Sequence, residues 1–148
     1  MKRQLPLLAS FALITAASGQ SVLFTETFET YVPPALIAQS NPVIWDTWSH
    51  APGGTEDAPV TAAQAHTGTN SALWTAASAT GGPNDVLLLL GDRTTGAYAL
   101  DFWMYIPTGK GGYFNIQHLP ALTQYAADFT FLADGTVEVL NSNTTTTG

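Results

Sequence analysis

The chain has 148 residues, no cysteine, 45% hydrophobic and 10% charged residues, and a formal net charge of −7. That length gives one domain with room for a packed core, and without cysteine no disulfide scaffold holds it together. The acidic balance argues against a nucleic-acid or anionic-lipid surface, because both repel a negative partner.

The chain opens with Lys2 and Arg3, runs almost wholly apolar over residues 5–17, and then carries Ser18 and Gly19. A basic start, a short apolar run and small residues describe a secretory signal peptide, and the run is too short to span a membrane. Cleavage is expected after Gly19, with Ala17 at the minus-three position, or alternatively after Ala17; a buried amino-terminal helix is the competing reading. The exported part keeps only Arg93 and Lys110 against eleven acids. It is expected to be secreted, extracellular or at the cell surface, with no membrane insertion after cleavage. The lack of cysteine is compatible with bacterial export.

Residues 21–29, SVLFTETFE, read as the first strand, with Val22, Phe24, Glu26 and Phe28 on one side. An inward carboxylate there must be paired, protonated, bulged outward or bound to a metal. Pro33, Pro34 and Pro42 predict a loop or a short helical turn after Pro34. Residues 45–49 form a short strand-like piece with Trp45 and Trp48 on opposite sides, followed by a turn-rich loop, HAPGGTEDAP. Gly68 and Asn70 permit a tight turn before a strand over residues 71–76. The run VLLLL over residues 86–90 predicts a strand covered on both faces or packed in the middle of a sandwich.

Residues 97–106 alternate without a break: Tyr98, Leu100, Phe102, Met104 and Ile106 on one side, Asp101, Trp103 and Tyr105 on the other. Pro107 and the glycines after it then turn the chain into residues 113–118, so the segment reads as a hairpin. Tyr125, Ala127, Phe129 and Phe131 alternate next, and Asp134–Gly135 is the strongest two-residue hairpin signal, with a return strand over residues 136–140. Residues 141–148, NSNTTTTG, read as a polar loop, a disordered tail or a truncation point. Short strands punctuated by Gly, Pro and Asx turns predict an all-β chain, an antiparallel β-sandwich or jelly roll over residues 20–140.

The opening FTETFE, the segment WDTWSHAPGGTEDAPV, the turn AHTGTNSALW, the hairpin GAYALDFWMYIPTGKGGYFNIQH and FTFLADGT together resemble the concanavalin A-like lectin/glucanase sandwich of the laminin G-like kind. Such domains occur near the amino terminus of secreted multidomain bacterial proteins exported by the type IX route. The resemblance covers residues 24–135 and implies a sandwich within a larger extracellular protein. Such proteins continue through further strands, whereas this chain stops after one hairpin. It is then either a fragment, whose last strand offers an unpaired edge for partner pairing, or a smaller closed sandwich.

Glycanases of this resemblance carry Glu, Asp and Glu at alternating strand positions, since two carboxylates must flank the scissile bond. This chain has no such triad: Glu26 and Glu29 would fall on opposite strand faces, and Glu56 and Asp57 lie in a turn. No G-x-S-x-G elbow is present, and His50, His66 and His118 match no zinc spacing and have no acid at a telling offset. The expectation is a noncatalytic module for carbohydrate contact or adhesion, with a ligand-free structural spacer as the alternative and a remnant glycoside hydrolase third. If Phe114 and Ile116 share a face with Phe102 and Met104, then Asp101, Trp103, Tyr105, Tyr113, Asn115 and Gln117 share the other, where rings can stack on a sugar and amides can bond its hydroxyls. A one-residue slip would put Trp103 and Tyr105 opposite the other set, and in the competing reading the other sheet or the Trp45 to Trp48 loop covers that face and makes these rings core. A calcium site from Glu26 with Asp57 or Asp85 and loop carbonyls is a further candidate.

Overall fold

The computed structural model describes residues 21–78, 81–117, 125–141 and 144–147, with backbone alone considered at 141 and 144–147. The proposed signal segment and His118 lie outside the described residues. Among the described residues the elements in chain order are a short helix α1 (Ile37–Ser40) and eight strands. These are β1 (Trp45–Thr47), β2 (Val60–Thr61), β3 (Ser71–Ala72), β4 (Val86–Leu88), β5 (Gly112–Gln117), β6 (Tyr125–Phe131), β7 (Val137–Asn141) and β8 (Thr144–Thr147). All pairings are antiparallel: β1 with β4, β2 with β3, and β5-β6-β7-β8 as one four-stranded sheet. Among the described residues the fold is all-β apart from one helical turn.

The core lies in the first half. Ile37, Ala38, Trp45, Ala58 and Val60 are buried, and Phe28, Tyr31, Ile44, Ala72, Val86 and Leu88 pack around them. Full burial of Ile37 or Val60 contributes about 1.5–3 kcal/mol each. The helical turn expected after Pro34 is α1, and its first turn has no side-chain cap of its own. Asp57 supplies that cap from the following loop, where its Oδ1 accepts from Ala38 N at 2.9 Å and its Oδ2 from Gln39 N at 2.9 Å. The same carboxylate accepts from Gly53 N and Ala58 N, so one buried side chain fixes helix, loop and the approach to β2.

Several expected elements differ. Residues 21–27 join no ladder, and Phe28, at φ 63°, turns the chain out of the expected strand. The strand over 71–76 is only Ser71–Ala72, since Thr75 is drawn away by Asn84, whose Oδ1 accepts from Thr75 N at 2.9 Å. The run after Val86 forms β4 but is half-buried, not covered on both faces, and Leu90 is exposed. Residues 97–106 make no ladder although their alternation is retained: Phe102 meets Phe114 edge-on with ring centroids 4.9 Å apart, and Met104 and Ile106 crowd Gly112. The turn between the two arms is as expected, with Lys110 N donating to Pro107 O at 3.0 Å and Gly109 at φ 75°.

The Asp134–Gly135 hairpin joins β6 to β7, with Gly135 at φ 91° and Thr136 N donating to Asp134 Oδ1 at 2.9 Å. The polar tail is not a loop throughout, because Thr144–Thr147 pairs with β7 as β8. Threonine's branched Cβ suits a strand, which outweighs the low complexity of the run. Consequently the strand after Gly135 is no unpaired edge, since β7 has a neighbour on each side.

Candidate functional site

The register of the four-stranded sheet sorts its side chains into two faces. Phe114 pairs with Phe129, which pairs with Val139, and Gly112 pairs with Phe131, which pairs with Val137. Their rings form one apolar side, Phe114 stacking on Phe129 at 4.5 Å. Residues opposite one another in a ladder share a side, so Tyr113 lies with Thr130 and Glu138, and Asn115 with Asp128 and Leu140.

On that second side the polar groups form a continuous hydrogen-bonded row. Gln117 Nε2 donates to Asn115 Oδ1 at 2.8 Å, Asn115 Nδ2 donates to Tyr113 Oη at 2.7 Å, and Tyr113 Oη donates to Asp128 Oδ1 at 2.7 Å. Partial burial, then the Asp128 hydrogen bond and charge, push the Tyr113 phenol up, against the Asn115 bond, so it stays a neutral donor. Gln117 Oε1 is buried without a hydrogen-bond partner among the described residues. A register shift between Ile116 and Gln117 sets Tyr125 opposite Gln117, turning a ring expected beside Phe129 toward the polar row. Asp128 belongs to this row but was not among the residues the sequence singles out. Its alternation with Phe129 and Asn115's position two residues after Tyr113 were the available signals.

The second group, Asp101, Trp103 and Tyr105, is exposed on the side of its segment away from the Phe102–Phe114 contact. Trp103 is 75% and Tyr105 66% exposed. The Trp103 indole lies flat on the His66 imidazole, centroids 3.8 Å apart and planes 9° from parallel. One ring face is therefore backed by His66 and the other is open. A cleft of about 330 Å³ between residues 106–110 and 131–135 contains none of the six residues.

The three carboxylates considered for calcium are not assembled. Glu26 accepts from Phe28 N at 2.8 Å, Tyr31 Oη at 2.8 Å and Trp45 Nε1 at 3.4 Å, which answers its need for partners without a cation. Asp57 is filled by four backbone N–H groups, and Asp85 faces Glu56, its carboxyl pushed up by burial and then by that charge. Among the described residues no three metal-ligating side chains converge.

Two acid contacts lay outside the sequence reading. His50 Nδ1 lies 2.6 Å from Asp46 Oδ2, an i, i+4 pair created by the turn after β1 rather than by a helix, with His50 at φ 53°. The hydrogen bond from His50 holds the Asp46 carboxyl below its ordinary value. Glu29 is enclosed by the turn after Thr67: Oε1 accepts from Thr69 N and Asn70 N, and Oε2 from Thr69 Oγ1. No family model, curated protein or solved structure matches the chain.

Proposed function

We propose that this chain is a secreted, noncatalytic β-sandwich module that contacts extracellular carbohydrate. The observation that carries the reading is the open indole face of Trp103, 75% exposed and backed by a parallel imidazole. A ring held in place loses little freedom when a sugar stacks on it, so its contact area converts more fully into affinity. The row Gln117, Asn115, Tyr113 and Asp128 supports the same reading, because it presents donors and acceptors in a fixed order beside exposed phenol rings. The acidic chain favours neutral glycans over anionic ones.

A structural spacer is the second reading, favoured by the fact that Trp103 already spends one ring face on His66. Native electrophoresis through gels containing neutral soluble polysaccharides separates them. A module that contacts glycan is retarded by at least one polymer, and Trp103→Ala and Asn115→Ala each relieve the retardation while retaining the wild-type circular dichroism. Unretarded migration in every polymer, for wild type and variants alike, favours the spacer.

A further inference from the structure

The two groups of candidate glycan contacts differ in how far the protein already uses their polar atoms. In the row Gln117, Asn115, Tyr113 and Asp128, each group bonds its neighbour. Along residues 101–105 the polar atoms are unused. Asp101, Trp103 and Tyr105 are exposed, and among the described residues the Asp101 carboxylate, the Trp103 Nε1–H and the Tyr105 hydroxyl have no hydrogen-bond partner. The backbone of residues 101–105 likewise joins no ladder and makes no other backbone hydrogen bond among the described residues. Phe102 against Phe114, with Met104 and Ile106 against Gly112, holds every second residue to β5, and no residue from 97 to 106 has a positive φ. The segment therefore runs extended, and its outward side chains Asp101, Trp103 and Tyr105 follow one another at two-residue intervals.

We infer that the ligand of this segment is a linear, equatorially linked neutral glycan, read along its length by Asp101, Trp103 and Tyr105 rather than gripped at its end. The inference rests on the glycan reading and adds the ligand class to it. At about 3.3 Å per residue, the stretch from Asp101 to Tyr105 extends about 13 Å, the length of about two or three pyranose units placed end to end. Linkage then selects the chain. Equatorial links keep successive sugar rings in one line, so a second unit reaches Tyr105 when the first lies on Trp103. Axial links coil the chain, and the second unit leaves a straight segment. The aromatic rings cover the C–H groups of a sugar face, with His66 behind Trp103 leaving one indole face for the chain. Asp101 has two acceptor oxygens for neighbouring hydroxyls of the adjoining unit. The same carboxylate, in a chain of net charge −7, repels uronic and sulfated polymers.

Titration calorimetry of the full chain against oligosaccharides of increasing length tests this. The probes are β-1,4-linked gluco-, manno- and xylo-oligosaccharides from the monosaccharide to the hexamer, with α-1,4-linked gluco-oligosaccharides of the same lengths beside them. For at least one β-linked series the affinity is expected to rise about tenfold from monomer to trimer and then level off, one further stacked ring accounting for most of the rise. The α-linked series is expected to show no such rise. Tyr105→Ala, with unchanged circular dichroism, is expected to flatten the length dependence while the shortest bound sugar keeps its affinity, and Tyr105→Phe to restore it. Affinity independent of length overturns the inference, as does an equal rise in the α-linked series or a Tyr105→Ala variant that binds like wild type. Retardation by a polysaccharide gel without binding of any linear oligosaccharide overturns it and leaves the glycan reading standing. Neither retardation nor binding overturns both.

Discussion

Two acidic side chains do most of the fixing in the first half of the molecule, and they do it by opposite means. Asp57 is 2% exposed and accepts four backbone N–H groups that have no other partner described. Asp57→Ala is expected to lower the unfolding free energy by about 2–4 kcal/mol in urea titrations, because buried donors are left unpaired. Asp57→Asn should recover part of it, since one acceptor oxygen returns while the amide NH2 faces further donors. Glu29 is at the surface, and the hydrogen bonds from Asn70 N, then Thr69 Oγ1 and Thr69 N, hold its carboxyl below its ordinary value. A lowered folded-state value stabilises fully above the unfolded value, and this contribution is lost as pH falls through the folded one. Thermal unfolding followed below about pH 4 is therefore expected to show a smaller acid-induced drop in midpoint for Glu29→Gln than for wild type. An equal drop in both would remove Glu29 from the account. The sequence made Glu26 legible as a carboxylate needing a partner, and it has three. It did not make the Asp46–His50 pair legible, because an i, i+4 spacing signals contact in a helix and here a left-handed His50 backbone creates it.

At the scale of elements, turns were more legible than strands. Asp134–Gly135 and the turn after Pro107 form where their residue types require, since glycine with positive φ is needed at each. The Gly68 turn does more than reverse the chain, because it presents the amides that grip Glu29 while Asn70 Nδ2 donates to Phe28 O and Tyr31 O at 3.2 and 3.0 Å. Gly68→Ala is expected to cost about 1–2 kcal/mol, measured by chemical denaturation, since φ is 71° and a Cβ would overlap the Glu29 carboxylate. Strands depend on a neighbour that alternation cannot supply. Residues 97–106 keep Phe102 on the same face as Phe114, as expected, and set Met104 over Gly112, yet lack a ladder, and residues 21–27 lack one as well. The threonine run went the other way, because its composition hid a β-propensity that pairing with β7 uses.

For the whole molecule, the all-β class was legible from short alternating segments and turn residues, and the antiparallel sheets agree with it. Which residues form the core was not. Among the described residues, five buried apolar side chains lie around α1, β1 and β2, while the aromatic-rich second half keeps its rings half-buried or exposed. Hydrophobicity alone cannot tell a ring packed within its own sheet from one packed between sheets. Of the six residues expected to meet a glycan, Tyr113, Asn115 and Gln117 are joined in one hydrogen-bonded row, to which Asp128 adds an end, while Trp103 is oriented by His66. Because the imidazole backs the indole, His66→Ala is expected to weaken glycan retardation severalfold without altering the fold, a loss that a purely structural Trp103 would not show. The central claim is that Trp103 offers its open face to carbohydrate, and its most direct test is tryptophan fluorescence titrated with neutral polysaccharide for wild type and Trp103→Ala. A saturable change in wild type, absent from a Trp103→Ala variant with unchanged circular dichroism, is the predicted result. The same change in both proteins, or none in either across a panel of neutral glycans, would contradict it.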